Sequence, residues 1–104
     1  MGLIGAGALA ASLPGLTCLT NLNLFQSDLG AAGVRALVPA LEALPDLVQL
    51  NLDNNGLGDE GVEALAPALA RLPRLSHLWL SLNALGPRGA RVLAPVVAHL
   101  ELMQ

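Results

Sequence analysis

The chain has 104 residues, 54% of them hydrophobic, and its Lys and Arg total of 5 against 8 acidic residues gives a net charge of −3. That length fits one domain at most, no apolar run approaches the roughly 18–20 residues that span a bilayer, and no basic stripe exists to engage nucleic acid. The single cysteine, Cys18, excludes an internal disulfide and fits a reducing, cytoplasmic setting.

At the N-terminus, Met1–Ser12 has the apolar character of a signal-peptide core. It lacks the positive flank such a segment needs, because no Lys or Arg precedes Arg35. Leu16-Thr17-Cys18 resembles a lipidation box, but Thr17 is a poor residue before the cysteine. Internal repetition explains the stretch better. Gly2, Gly5, Leu9, Leu13 and Leu16 recur 28 residues later as Gly30, Gly33, Leu37, Leu41 and Leu44.

Leu47–Gly61, LVQLNLDNNGLGDEG, carries the same message. Leu47, Leu50, Leu52, Leu57 and Gly58 have counterparts 28 residues earlier in Leu19, Leu22, Leu24, Leu29 and Gly30, and 28 later in Leu75, Leu78, Leu80, Leu85 and Gly86. Self-similarity at such a period marks a solenoid. The register divides the single domain, 1–104, into a half repeat at 2–18 and repeats at 19–46, 47–74 and 75–102. Each unit reads as a short strand and then a helix, so the order is helix followed by three strand–helix pairs. One such unit cannot bury its own apolar face, and stacking must supply the core.

Each helical half shows apolar residues on one face: 34, 37, 41, 44; then 62, 65, 69, 72; then 90, 93, 97, 100; and, with smaller residues, 6, 9, 13, 16. Asp59 and Glu60 suit the first turn of a helix, where the dipole favours anions, and Pro87 suits a helix opening. Pro39, Pro67 and Pro95 fall inside the helical spans. An interior proline removes a hydrogen bond and clashes with the preceding turn, so distortion is expected at all three.

The pattern L-x-x-L-x-L-x-x-N-x-L-G-x-x-G resembles the leucine-rich repeat. The 28-residue length with a full helix resembles its ribonuclease-inhibitor-like subclass, which includes ribonuclease inhibitor, the Ran GTPase-activating protein and the sensors of nucleotide-binding leucine-rich-repeat receptors. The resemblance implies an α/β solenoid, a short horseshoe with parallel strands on the concave side and helices on the convex side. It also implies that Asn55 and Asn83 form the family's asparagine ladder, satisfying backbone groups where each strand ends. Ser27 takes that slot in the first repeat. Dedicated terminal caps are missing, and the register has the chain stop where a fourth strand would begin.

Strand alternation sends Leu22 and Leu24 inward and their neighbours onto the concave face. The outward columns are Asn21/Gln49/His77, Asn23/Asn51/Trp79 and Phe25/Asp53/Ser81, with Gln26/Asn54/Leu82 at the rim. The chain holds one Phe and one Trp, and both occupy these outward slots. Aromatic side chains dominate interface hot spots, so the nine column residues are the candidate partner-binding set. In the competing reading, Trp79 merely caps the last strand and Phe25 folds over its own helix.

Other motifs dissolve into the repeat. Gly5-Ala6-Gly7-Ala8-Leu9-Ala10, with Asp28 downstream, fits a dinucleotide fingerprint, but Met1–Ile4 is too short for the strand it requires. Asp53–Asp59 imitates a calcium loop, yet its fifth and twelfth slots are Leu57 and Ala64. Asn55-Gly56 imitates a hairpin turn, which a parallel repeat overrules. His77 and His99 lie in different registers and suggest no triad; Cys18 shares a slot with Asp46 and Arg74 and reads as an exposed bystander. Arg35, Glu63 and Arg91 share one helix column and suggest a cross-repeat ion ladder.

These readings give no catalytic, cofactor or metal residues. The leading expectation is a non-enzymatic module that binds a protein partner through its strand face, with no nucleic acid or membrane involved. Regulation of a small GTPase follows only from resemblance to the Ran activator. A third reading is a slice of a larger receptor or scaffold, associating end to end or with further repeats.

Overall fold

The computed structural model describes residues 2–16, 18–96 and 101–103. Helix α1 (Gly2–Ser12) and a 3-10 turn (Leu13–Gly15) lead into β1 (Asn21–Asn23), α2 (Gly30–Glu42), β2 (Gln49–Asn51), α3 (Gly58–Ala70), β3 (His77–Trp79), α4 (Pro87–Leu93) and β4 (Glu101–Met103). The strands form one parallel sheet in the order β1-β2-β3-β4. Asn21 pairs with Gln49 and Gln49 with His77, which is the 28-residue period carried into space. This is the α/β solenoid expected from the repeat.

Repeated leucines fill the space between sheet and helices. Leu47, Leu50, Leu52, Val62, Leu65 and Leu69 are fully buried, as are Val34, Leu37, Leu41 and Leu44. A solenoid buries each unit against its neighbours, and β1, at the sheet edge, has a strand on one side only. Accordingly Leu19 and Leu22, expected inward, are only partly buried. Leu16, in the slot of the buried Leu44 and Leu72, is 51% exposed. In the last helical face Ala90 is exposed and Leu93 buried, while 97, 100 and His99 lie outside the described residues.

Neither of the first two interior prolines shortens its helix. Both α2 and α3 run continuously through Pro39 and Pro67. Each proline is exposed, on the side where water can reach the helical carbonyl it cannot serve. At the third slot, α4 ends at Leu93, two residues before Pro95. The last unit is also shorter in register, since His77 pairs with Glu101, 24 residues on rather than 28. Residues 101–103 therefore enter the sheet as a fourth strand, whereas the repeat count has the chain end before one.

Helix starts follow the sequence more closely. Asp59 and Glu60 occupy the first turn of α3, and Pro87 opens α4. Gly30 and Gly58 adopt φ of 65° and 64°, a conformation glycine adopts without Cβ strain. This aims their N–H groups at the carbonyls of Asn55 and Asn83, 2.8 Å away in the following repeat. Gly86 is different. Its backbone is extended, and its N–H donates instead to Asp59 Oδ1 at 2.8 Å, an oxygen that also accepts from Gly89 N–H at 2.9 Å. A carboxylate from the preceding repeat thus takes the orphan donors at the start of α4.

The asparagine ladder forms as expected at Asn55 and Asn83, both buried. Asn83 Nδ2 donates to the carbonyls of Leu52 (2.8 Å), Leu80 (3.1 Å) and Ser81 (3.3 Å), and its Oδ1 accepts from Asn55 N (2.8 Å) and Leu57 N (3.3 Å). Asn55 makes the same set one repeat earlier, reaching Leu24, Leu52 and Asp53 carbonyls and accepting from Ser27 and Leu29. Each asparagine serves the loop before it. Ser27 therefore needs only to be served.

The expected Arg35/Glu63/Arg91 ladder is not how the charges pair. Arg35 meets Glu60, and Glu63 meets Arg88. Both contacts join a residue to one 25 positions on, a turn nearer the next helix's N-terminus. Among the described residues, Arg71–Glu42 at 2.7 Å and Arg74–Asp46 at 3.5 Å also join successive repeats. All are substantially exposed, and such pairs contribute about 0–1 kcal/mol each.

Candidate functional site

Three-residue strands place two of the predicted columns on the open face of the sheet and the third in the turn beyond it. Asn21, Asn23 and Phe25 are exposed; Gln49, Asn51, Asp53, His77, Trp79 and Ser81 are half-buried. Asn21, Asn23, Gln49, Asn51 and Trp79 line one shallow hollow of ≈ 260 Å³, with Leu22 at its floor. Sequence alternation alone assigned Leu22 to the core; its place at the uncovered end of the stack brings it to this surface. Phe25, Asp53 and Ser81 follow the strands rather than extending them.

Trp79 is held from the side. Its ring stacks with that of His77, centroids 6.3 Å apart and planes 25° from parallel. His77 Nδ1 lies 2.8 Å from Ser76 Oγ.

The two asparagines beside Trp79 are oriented by their own backbone. Phe25 N–H donates to Asn23 Oδ1 at 3.0 Å, and Asp53 N–H donates to Asn51 Oδ1 at 3.0 Å. A backbone N–H requires an oxygen acceptor, which fixes each carboxamide's flip and turns its two-proton nitrogen away from that contact. Asn23 and Asn51 are direct partners across β1 and β2, so two oriented donor groups stand side by side in the row that continues through Trp79. Asp53 is committed in part to the fold, its Oδ1 accepting from Ser81 N–H at 2.6 Å. None of the arginines is among the nine predicted residues, of which Asp53 is the one acidic.

At the rim, Leu82 is 76% exposed and holds φ of 59°. A bulky residue in the left-handed region is uncommon. The sequence placed Leu82 at this rim, but no local signal announced its backbone. Phe25 is 51% exposed. A second, more polar hollow of ≈ 450 Å³ lies among Gln26, Asp28, Asn54, Asn55 and Gly56. Cys18 is exposed and free. Among the described residues, no three His, Cys, Asp or Glu side chains converge as metal ligands, and no helix is long and apolar enough to cross a membrane.

Comparison with known proteins agrees with this architecture. A family model described as Leucine Rich repeat matches residues 15–38 and 43–66, two repeats of the chain. No curated protein matches. Among solved structures, the chain resembles "Leiomodin-1 Actin-Binding Site 2 (ABS2)" with a TM-score of 0.81 at 19% identity, over 98% of this chain and 62% of that one. This chain thus spans less than two thirds of that structure's length, and the likeness is one of fold.

Proposed function

We propose that this leucine-rich-repeat solenoid is a non-enzymatic module that binds a polypeptide partner on its open strand face. One observation carries the reading. Trp79, braced by His77, borders a hollow whose polar lining includes two carboxamides with donor groups already oriented. A rigid aromatic beside preset polar groups loses little entropy on binding, which is what interface hot spots share. Phe25 and Leu82 add exposed apolar surface at the rim. Asn21, Gln49, Asp53 and Ser81 complete the contact set.

The test compares wild type with Phe25→Ala/Trp79→Ala as baits in cell extract, after circular dichroism has shown both to be folded. A protein retained by wild type and lost by the double variant supports the strand face. Identical captures by the two baits would overturn it. Actin is the first purified polypeptide to try, because a structure sharing this fold is titled as an actin-binding site.

A further inference from the structure

Among the six asparagines, one precedes glycine. Asn55-Gly56 is the sequence in which a backbone amide most readily attacks the preceding carboxamide, because glycine has no side chain to hinder its nitrogen. The others precede Leu, Asn or Ala: Asn21, Asn23 and Asn51 are followed by leucine, Asn54 by Asn55, and Asn83 by Ala84. The residue with the most labile sequence is also one of the two asparagines that the fold buries. Asn55 is 3% exposed. Its Nδ2 donates to the carbonyls of Leu24, Leu52 and Asp53, and its Oδ1 accepts from Ser27 and Leu29.

We infer that Asn55-Gly56 is a conditional modification site, closed in the folded solenoid and opened when the first two repeats separate, at which the chain deamidates. In the reaction, Gly56 N gives up its proton and bonds to Asn55 Cγ. The Cγ–Nδ2 bond breaks, and the nitrogen leaves as ammonia carrying that proton. Water then opens the resulting succinimide at either carbonyl, giving aspartate or isoaspartate. In the folded state Cγ cannot turn toward Gly56 N unless the carboxamide leaves partners in two repeats at once.

The fold also makes the change hard to reverse structurally. A carboxylate at position 55 has no proton to donate, yet it would face the Leu24 carbonyl at 2.8 Å and the Leu52 carbonyl at 3.0 Å. Isoaspartate adds a backbone atom to a loop already fixed by φ of 57° at Asn54 and 63° at Gly56. A chain that has been open long enough to deamidate therefore cannot rebuild the joint between its first two strand ends. The site records time spent unfolded.

Asn83 is the internal control, with the same burial and bonding pattern but Ala84 after it. The experiment incubates the chain in mildly alkaline buffer, with and without urea above the unfolding midpoint, and follows each asparagine by peptide mass spectrometry. In urea, Asn55 should convert first and Asn83 lag well behind, and Gly56→Ala should slow the reaction in that arm. Without urea, conversion at Asn55 should be slower by at least about 100-fold, as for a group reached only through opening. Equal or faster conversion in the folded chain would overturn the inference; it would mean that the two N–H groups on Oδ1 activate the carboxamide rather than hold it. Chains deamidated in urea and returned to buffer should melt well below the untreated protein, and the variant Asn55→Asp should match them. An unchanged melting temperature in either would refute the irreversible part.

Discussion

Replacing Asn83 with alanine tests the ladder most directly. The substitution removes three short hydrogen bonds, to Leu52 O at 2.8 Å, Leu80 O at 3.1 Å and Asn55 N at 2.8 Å, along with two longer ones. Asn83 is 1% exposed, so water reaches the abandoned groups only if the loop shifts. Each buried group left unpaired costs about 1–3 kcal/mol, and allowing for partial relaxation the loss should be about 3–5 kcal/mol. That is large against the 5–15 kcal/mol that stabilises a typical domain. With a urea slope of about 1–3 kcal/mol per molar, the midpoint should fall by more than about 1 M. The chain has one Trp and no Tyr, so Trp79 emission reports the transition without interference, and far-ultraviolet circular dichroism checks that the same transition is read. Ser27→Ala serves as the comparison, since that slot is served by Asn55 rather than serving a loop, and should change stability by less than about 0.5 kcal/mol. A loss below about 1 kcal/mol for Asn83→Ala would refute the argument that these bonds hold the strand ends.

The cap on α4 gives a second prediction: a Cβ at Gly89 would lie 2.5 Å from Asp59 Oδ1, so Gly89→Ala should displace the carboxylate and cost about 1–2 kcal/mol, as lost caps do. In a double-mutant cycle with Asp59→Ala the two losses should not add; full additivity in urea denaturation would contradict the contact. Ala84 sits at φ of 56° where Gly56 occupies the equivalent slot at 63°, so Ala84→Gly should raise stability by about 0.5–1 kcal/mol, measured as a midpoint shift at constant slope. Arg88→Gln breaks an exposed pair with Glu63 and should change stability by no more than about 1 kcal/mol; a larger loss would mean that the diagonal pairs act as a network.

Much of the strand face was legible because the sheet's geometry is periodic. A strand alternates faces, and once Leu22, Leu50 and Leu78 are assigned to one slot the outward columns follow. The placement of Asn23, Asn51 and Trp79 in one row is of this kind, and so is the burial of Leu50 and Leu78. Less legible was what each outward side chain does once there. Asn23 and Asn51 spend their oxygens on Asx turns, and Asp53 holds the Ser81 backbone; these depend on where a turn folds back, not on which slot a residue fills.

The amino-acid sequence by itself determined the period and the leucine core, because a repeated pattern buries its apolar face by stacking; the parallel strand order and the ladder at Asn55 and Asn83 followed from the resemblance to the leucine-rich repeat. Tertiary structure alone decided what happens where the repetition is broken. At the uncovered end Leu16 and Leu22 lose the neighbour that buries Leu44 and Leu50. At the other end the Gly86 N–H takes a carboxylate from the preceding repeat instead of a carbonyl from the following one, and the pairing of β4 arrives four residues early. Between α2, α3 and α4 the pairs Arg35–Glu60 and Glu63–Arg88 run diagonally to the repeat register, which slot identity alone does not foretell. A repeat specifies its own interior, and only the finished stack settles its boundaries.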